Sequence, residues 1–342
     1  MASKRTRPVS ERGVILIWVA LFMLTMLSFI SLGIDLAKLT TTRAQLQNAA
    51  DAAALAGASA IDPQTGVLVQ ATAVARAQQT SAQNKAFIDT PQPVVLDASD
   101  VTFPTSSQVR VTVRREGANS IVTYFGKALG ITSLQMKASA TAKVDTVGAV
   151  NCGILPLGAS LNPGETFQTG CSHIYALKLG SGTGGNGNYS AIAFPQCNAG
   201  PCAGQPSTGA STYGCLLRQG YCCEIKKGEV VSTEPGNMAG PTNKAINDRF
   251  DADIVKAENI CYSDYLAQGG NGQRVIIVPI TTQPANGRSD VTILDFASFF
   301  LRNRPGSGND CQINAEYVYT TVPGSGGGSS TGPVVFTIRL VN

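Results

Sequence analysis

The sequence is poor in the side chains that most often carry chemistry. It holds one histidine, His173, so any Ser–His or Cys–His pair would have to use that residue. H-E-x-x-H does not occur, and G-x-S-x-G occurs only inside the Gly-rich connector GSGGGSSTG. A lone His also leaves zinc with cysteines, and the C-x4-C pair Cys197 and Cys202 has no second knuckle. Charge is scarce: 14% of residues are charged, and the net charge is +4. That excludes the footprint of a nucleic-acid binder and an acidic disordered chain alike. These absences give the expectation of no catalytic residue, no cofactor and no metal centre.

What is present begins with an apolar run. Residues 14–34 read VILIWVALFMLTMLSFISLGI, 21 residues without a formal charge. A membrane span needs about 20 such residues, and a cleaved secretory signal has an apolar region of roughly 7–15. Four cations precede the run, Lys4, Arg5, Arg7 and Arg12. They suit a solvated tail, and the positive-inside rule puts the same tail in the cytoplasm and everything from Asp35 onward outside it. The expected topology is therefore a membrane crossed once, with the bulk of the chain outside the cytoplasm.

Cysteine usage agrees with an oxidising compartment. All nine cysteines fall in the outer part: Cys152, Cys171, Cys197, Cys202, Cys215, Cys222, Cys223, Cys261 and Cys311. Disulfides are the default there. An odd number leaves at least one thiol over or pairs it between chains, and the neighbours Cys222 and Cys223 are expected to take separate partners.

Directly after the span the chain becomes almost pure alanine, NAADAAALAGASA over residues 48–60, with no Pro or Gly between Ile34 and Gly57. A helix can therefore continue out of the membrane through residues 35–61. From residue 14 to residue 59 it would be one rod of about 70 Å at 1.5 Å per residue. Leu39, Leu46, Ala53 and Ala60 fall at seven-residue spacing, and Ala49, Ala53 and Gly57 repeat every four. Small residues at that period let backbones approach closely. Alanine is also simply the best helix former, but Gly57 weakens a helix and asks for a packing reason.

Residues 12–60, RGVILIWVALFMLTMLSFISLGIDLAKLTTTRAQLQNAADAAALAGASA, resemble the N-terminal region of TadE/TadG-like Flp pilus-assembly proteins. In that family an Arg-Gly start, an apolar span, a DLA exit and an LQNAADAAALAGA segment occur in this order. The resemblance implies a membrane-anchored component of a tight-adherence pilus system. Its partners would be membrane lipid and other pilus-assembly proteins or pilins, with a homo-oligomer open and no nucleic acid. Prepilin-like members are cut after a Gly, with a Glu five residues beyond. Here Gly13 would be the cut site and the fifth residue is Trp18, which favours the uncut, TadG-like branch.

Beyond the break at Asp62-Pro63, residues 67–87 read as a polar, Ala-rich helix. Val109, Val111 and Val113 alternate with Arg110, Thr112 and Arg114 in a half-exposed strand. SIVTYFGKALG puts Ile121, Val122, Phe125, Ala128 and Leu129 on one helical face with Gly130 as its stop. Residues 134–144 alternate again. Residues 62–147 thus read as a small α+β domain of order α-β-β-α-β. From residue 148 to residue 342 helix signals fade. Gly-rich connectors separate the strand-like runs RVIIVPI, DVTILDF, EYVYT and VVFTIRLV, the last with Val334, Phe336, Ile338 and Leu340 alternating. This part reads as a mainly-β, disulfide-stapled domain. STEPGNMAGPT, with RVIIVPI and VTILDFASFFL after it, also resembles the C-terminal part of some TadG-related proteins.

Three motifs tempt. VVLDASDV offers Asp97 and Ser99 to a metal-ion-dependent adhesion site, but Val101 stands at the last position, so an Asp/Ser turn is expected. Gly182, Gly184 and Gly187 satisfy G-x-G-x-x-G with no strand before or helix after. GGNGNYSAI is one imperfect calcium β-roll repeat, with Asn188 where Asp belongs, and one copy cannot stack. Three functions stay open: a structural or assembly protein of the pilus system, a cleaved minor pilin, and an exported enzyme or ligand-binding protein. The first leads.

Overall fold

The computed structural model describes residues 12–86, 92–162, 165–179, 190–285, 287–326 and 335–341. One unbroken helix, α1 (Arg12–Ala58), carries the apolar run and the alanine-rich segment together. It is followed by α2 (Gln70–Gln83), β1 (Lys85–Ala86), β2 (Gln92–Pro93), β3 (Val101–Thr102), β4 (Gln108–Arg115), β5 (Ile121–Val122), β6 (Ser133–Leu134) and β7 (Met136–Val150). The remainder holds β8 (Ile174–Lys178), β9 (Ile192–Ala193), α3 (Ala210–Gln219), β10 (Ile225–Lys226), β11 (Val230–Thr233), α4 (Ala239–Ala252) and α5 (Tyr262–Ala267). It ends with β12 (Val275–Thr281), β13 (Asp290–Leu301), β14 (Ile313–Val318), β15 (Gly324–Gly326) and β16 (Phe336–Val341).

The chain is thus a long apolar helix, a small helix-strand domain and a mainly-β, disulfide-rich domain. The strand β7 ties the last two together. In its first half it pairs with β4 on one side and β16 on the other, with Val109 and Leu340 both opposite Ala142. In its second half it pairs with β10 and β15, with Ile225 and Gly324 both opposite Val150. The C-terminal strand therefore returns to the sheet of the small domain, which alternation along VVFTIRLV could not reveal.

The small domain has its core between α1 and this sheet. Strict alternation turns Val109, Val111 and Val113 of β4 inward, beside Ala138, Ala140, Ala142 and Val144 of β7. Against them lie Leu46, Ala49, Ala50, Ala53, Ala54 and Ala58 of α1 and Ala73 and Ala77 of α2. Alanine on both helix and strand lets the layers sit close, and each fully buried valine adds about 2 kcal/mol. The helix expected over SIVTYFGKALG is reduced to a 3₁₀ turn, Gly126–Leu129, between the short strands β5 and β6. Gly130 does end that turn, in the left-handed region at φ 82°. The hydroxyl of Thr123 donates to the carbonyl of Ile131 and closes the excursion instead of letting a helix run.

The second domain is built on the order β8-β14-β13-β11-β9, with β12 also paired to β13. Rings interlock on its inner face: Phe167 lies 4.9 Å from Tyr175 and 5.1 Å from Phe299, both edge-on. Three helices, α3, α4 and α5, appear where the sequence showed fading helix signals. The face Ala245, Ile246 and Phe250 of α4 packs with Tyr213 and Leu217 of α3 over this core. The two domains touch directly: Tyr319 donates its backbone N–H to Pro63 at 2.9 Å, and Thr169 Oγ1 donates to the carbonyl of Gln64 at 2.8 Å.

Candidate functional site

Two features of α1 define the site. Its first part, residues 15–34, is exposed on every side except at Ser31. From Ser31 a buried stripe runs on through the second part: Asp35, Lys38, Thr42, Leu46, Ala49, Ala53 and Gly57, at steps of three and four. The upper end of the stripe is apolar and fits the sheet. The lower end is polar and buried, and it meets the excursion of residues 121–134.

There the carboxylate of Asp35 accepts three successive backbone N–H groups, from Tyr124 at 2.9 Å, Phe125 at 3.0 Å and Gly126 at 2.9 Å. Lys38, one turn on, donates to the carbonyl of Val122 at 2.9 Å and lies 4.2 Å from the centre of the Tyr124 ring. Hydrogen bonding from Tyr124 first, then from Gly126 and Phe125, holds the Asp35 carboxyl below its usual range, and Lys38 adds to it. Thr42 returns its hydroxyl to the carbonyl of Lys38 at 2.8 Å, which keeps this buried turn saturated. The arrangement is a clamp: an acid and a base on one helix face grip a loop nearly ninety residues away in sequence. Sequence reading missed it, although the step pattern could have been followed back from Leu46 through Thr42 to Lys38 and Asp35.

The small residues singled out for close helix packing, Ala49, Ala53 and Gly57, are all buried, and they pack inside the chain. A methyl group placed on Gly57 would lie 3.0 Å from Val109 Cγ1 and 3.3 Å from the Ala73 carbonyl oxygen. Gly57 thus has its reason in the approach of α2 and β4.

Eight of the nine cysteines pair: Cys152 with Cys222, Cys171 with Cys261, Cys197 with Cys223 and Cys202 with Cys215. Cys222 and Cys223 take separate partners. Cys311 is the remaining thiol; burial raises its pKa. Beside it the buried Lys178 Nζ donates to Asn237 Oδ1 at 2.7 Å, to the Cys311 carbonyl at 3.1 Å and to the Leu179 carbonyl at 3.3 Å. Burial lowers the Lys178 pKa in turn. His173 is half-buried ahead of β8, and its neighbour Cys171 is tied to Cys261.

Asp97 and Ser99 sit in and beside a 3₁₀ turn, Ala98–Asp100, whose Asp100 pairs with Arg114 at 2.5 Å. Among the described residues no group of three or more His, Cys, Asp or Glu could hold a metal ion. The glycines Gly182, Gly184 and Gly187, with Asn188, lie outside the described residues, as do Lys4, Arg5, Arg7 and Val334.

Among the described residues one helix is long and apolar enough to cross a membrane, Ile15–Ala58, with a mean hydropathy of 2.5 over its most apolar stretch. Its lipid-length apolar part projects from the fold while the rest is built into it, an arrangement consistent with a protein anchored in a membrane by this helix. Residues 13–60 match the family described as "Putative Flp pilus-assembly TadE/G-like". That match covers the apolar run and the alanine-rich segment of α1, and over these residues the chain is similar to TadE/TadG-like proteins. No curated protein matches it, and no solved structure does.

Proposed function

We propose that the protein is a permanently anchored, non-enzymatic assembly component of a Tad/Flp pilus system, of the TadG-like branch. Its basic N-terminus lies in the cytoplasm, and both folded domains lie on the periplasmic side. They present surfaces to other pilus-assembly proteins or pilins and keep the chain fixed at the membrane.

The observation that supports this reading is the buried stripe of α1. A subunit that enters a filament through its N-terminal helix needs a helix face free for neighbouring helices. In this chain the small-residue face from Leu46 to Gly57 is filled by α2, β4 and β7 of the same molecule. The absent Glu after Gly13, with Trp18 in its place, supports the same side.

The test is the mature N-terminus in native membranes, read by intact mass and N-terminal sequencing. A chain beginning at Met1 or Ala2 is expected. A chain beginning at Val14 would mean prepilin-type cleavage and would replace this reading with a minor pilin. Protease protection in right-side-out vesicles checks the orientation: both folded domains should be accessible and the tail protected.

A further inference from the structure

We infer that the excursion of residues 121–134 is a second membrane contact, resting in the headgroup region of the leaflet from which α1 emerges. The inference rests on α1 being a membrane span and goes beyond it, because it gives the folded part its own seat on the lipid.

Position is the first argument. Asp35 grips the backbone of Tyr124, Phe125 and Gly126, so the excursion is fixed where the apolar run ends. It also reaches past that point. Ser31, about 6 Å nearer the membrane centre than Asp35 at 1.5 Å per residue, is 7% exposed, whereas its neighbour Leu32 is 60% exposed. Phe125 and Gly126 share an open groove of about 280 Å³ with Leu24, Leu27, Ser28 and Ser31 of the span. Any bilayer that surrounds the span up to Ile34 therefore meets Phe125.

Composition is the second. Val122, Tyr124, Phe125 and Ile131 are all large, apolar or aromatic, and more than two-fifths exposed. Such a patch on a soluble surface would be a liability, and aromatic side chains favour the membrane–water boundary. Charge is the third. Between Glu116 and Asp145 the sequence has no acidic residue and three lysines, Lys127, Lys137 and Lys143. Lys127 sits in the turn itself and is exposed, as an anionic headgroup would require. The patch is continuous with the lipid-facing helix, so the occupant it fits is the same bilayer.

The experiment uses the full chain, reconstituted at low protein-to-lipid ratio in phosphatidylcholine–phosphatidylglycerol vesicles that carry lipids brominated near the headgroup or deep in the acyl chain. Trp18 is the sole tryptophan, and its quenching in the unsubstituted chain reports the span. Two further chains, Phe125→Trp and Ile131→Trp in a Trp18→Phe background, report the excursion. The expected result is quenching of both new probes, stronger with the shallow bromine than with the deep one, and blue-shifted emission. If Trp18 is quenched while both new probes emit as in water, the second contact is overturned and the anchor stands. Blue-shifted probes that no lipid quenches would also overturn it, and would assign the patch to a protein, a second copy if the shift fades on dilution in lipid. If Trp18 itself escapes quenching, the span falls, and the inference with it.

Discussion

Asp35 Oδ1 accepts the backbone N–H of Tyr124 at 2.9 Å across 89 residues of sequence. That one bond, with its companions to Phe125 and Gly126, makes the last turn of the apolar run part of the folded domain. Span and domain are thereby one mechanical piece.

The clamp should depend on acid. The backbone N–H groups of Tyr124, Gly126 and Phe125 hold the Asp35 carboxyl below the ordinary carboxylate range in the folded chain, so its contribution is complete above that range and is lost as pH falls through the lowered folded value. Protection factors of the Tyr124, Phe125 and Gly126 amides, corrected for intrinsic exchange, are expected to fall at such low pH. Asp35→Asn should lower them already at pH 7, because a neutral amide oxygen accepts less strongly than a carboxylate. Equal protection in the variant would mean that the loop is held by something else.

Gly57 is a packing position. Gly57→Leu forces a side chain against Val109 Cγ1 and the Ala73 carbonyl and should cost about 3 kcal/mol, the upper end for overpacking. Ala53→Leu, at a fully buried position, should act in the same direction. Thermal unfolding of the full chain in detergent reads the loss, and membrane insertion of both variants should be normal. Unchanged melting would mean that this face is not a core.

Cys311 should be the lone free thiol. Alkylation of the non-reduced protein is expected to fail in the native state and to add one label after denaturation, at Cys311. Burial both blocks the reagent and raises the thiol pKa. Peptide mapping should then recover the four pairs, with Cys222 and Cys223 linked to different peptides. Two or more labels would mean that one of these bridges is absent.

Arg274 is fully buried, 4.7 Å from the centre of Phe300, 4.8 Å from Phe250 and 4.9 Å from Tyr265, with Asp253 at 3.9 Å. Arg274→Met leaves Asp253 without its cation and should destabilise the domain by about 3–5 kcal/mol. The double variant Arg274→Met with Asp253→Asn should recover part of that. A cost that simply adds would show that the two side chains do not interact.

Much of the fold could be read locally. The span follows from a run longer than any soluble helix needs, and the continuation of α1 follows from the missing Pro and Gly before Gly57. Strict alternation in β4 and β7 marked their buried faces, since period two and burial on one side are the same statement. The three helices of the second domain were not legible, because α3 and α5 are short and α4 carries its apolar face on Ala245, Ile246 and Phe250 amid polar residues. The strand–turn–strand at residues 121–134 was misread for a related reason. Its apolar spacing fits a helix face, but Val122, Tyr124 and Phe125 turn outward and Asp35 takes the N–H groups that a helix would have used.

The sequence by itself determined that an apolar helix long enough to span a membrane leads into the fold, that this helix and the alanine segment are similar to TadE/TadG-like proteins, and that every cysteine lies beyond residue 150. Those properties depend on length, composition and order along the chain. Only the tertiary structure decided what the alanine face packs against, which cysteine stays reduced, where the last strand pairs and what Asp35 and Lys38 hold. Each of these depends on residues far apart in sequence meeting in space, and no local pattern carries the identity of a distant partner.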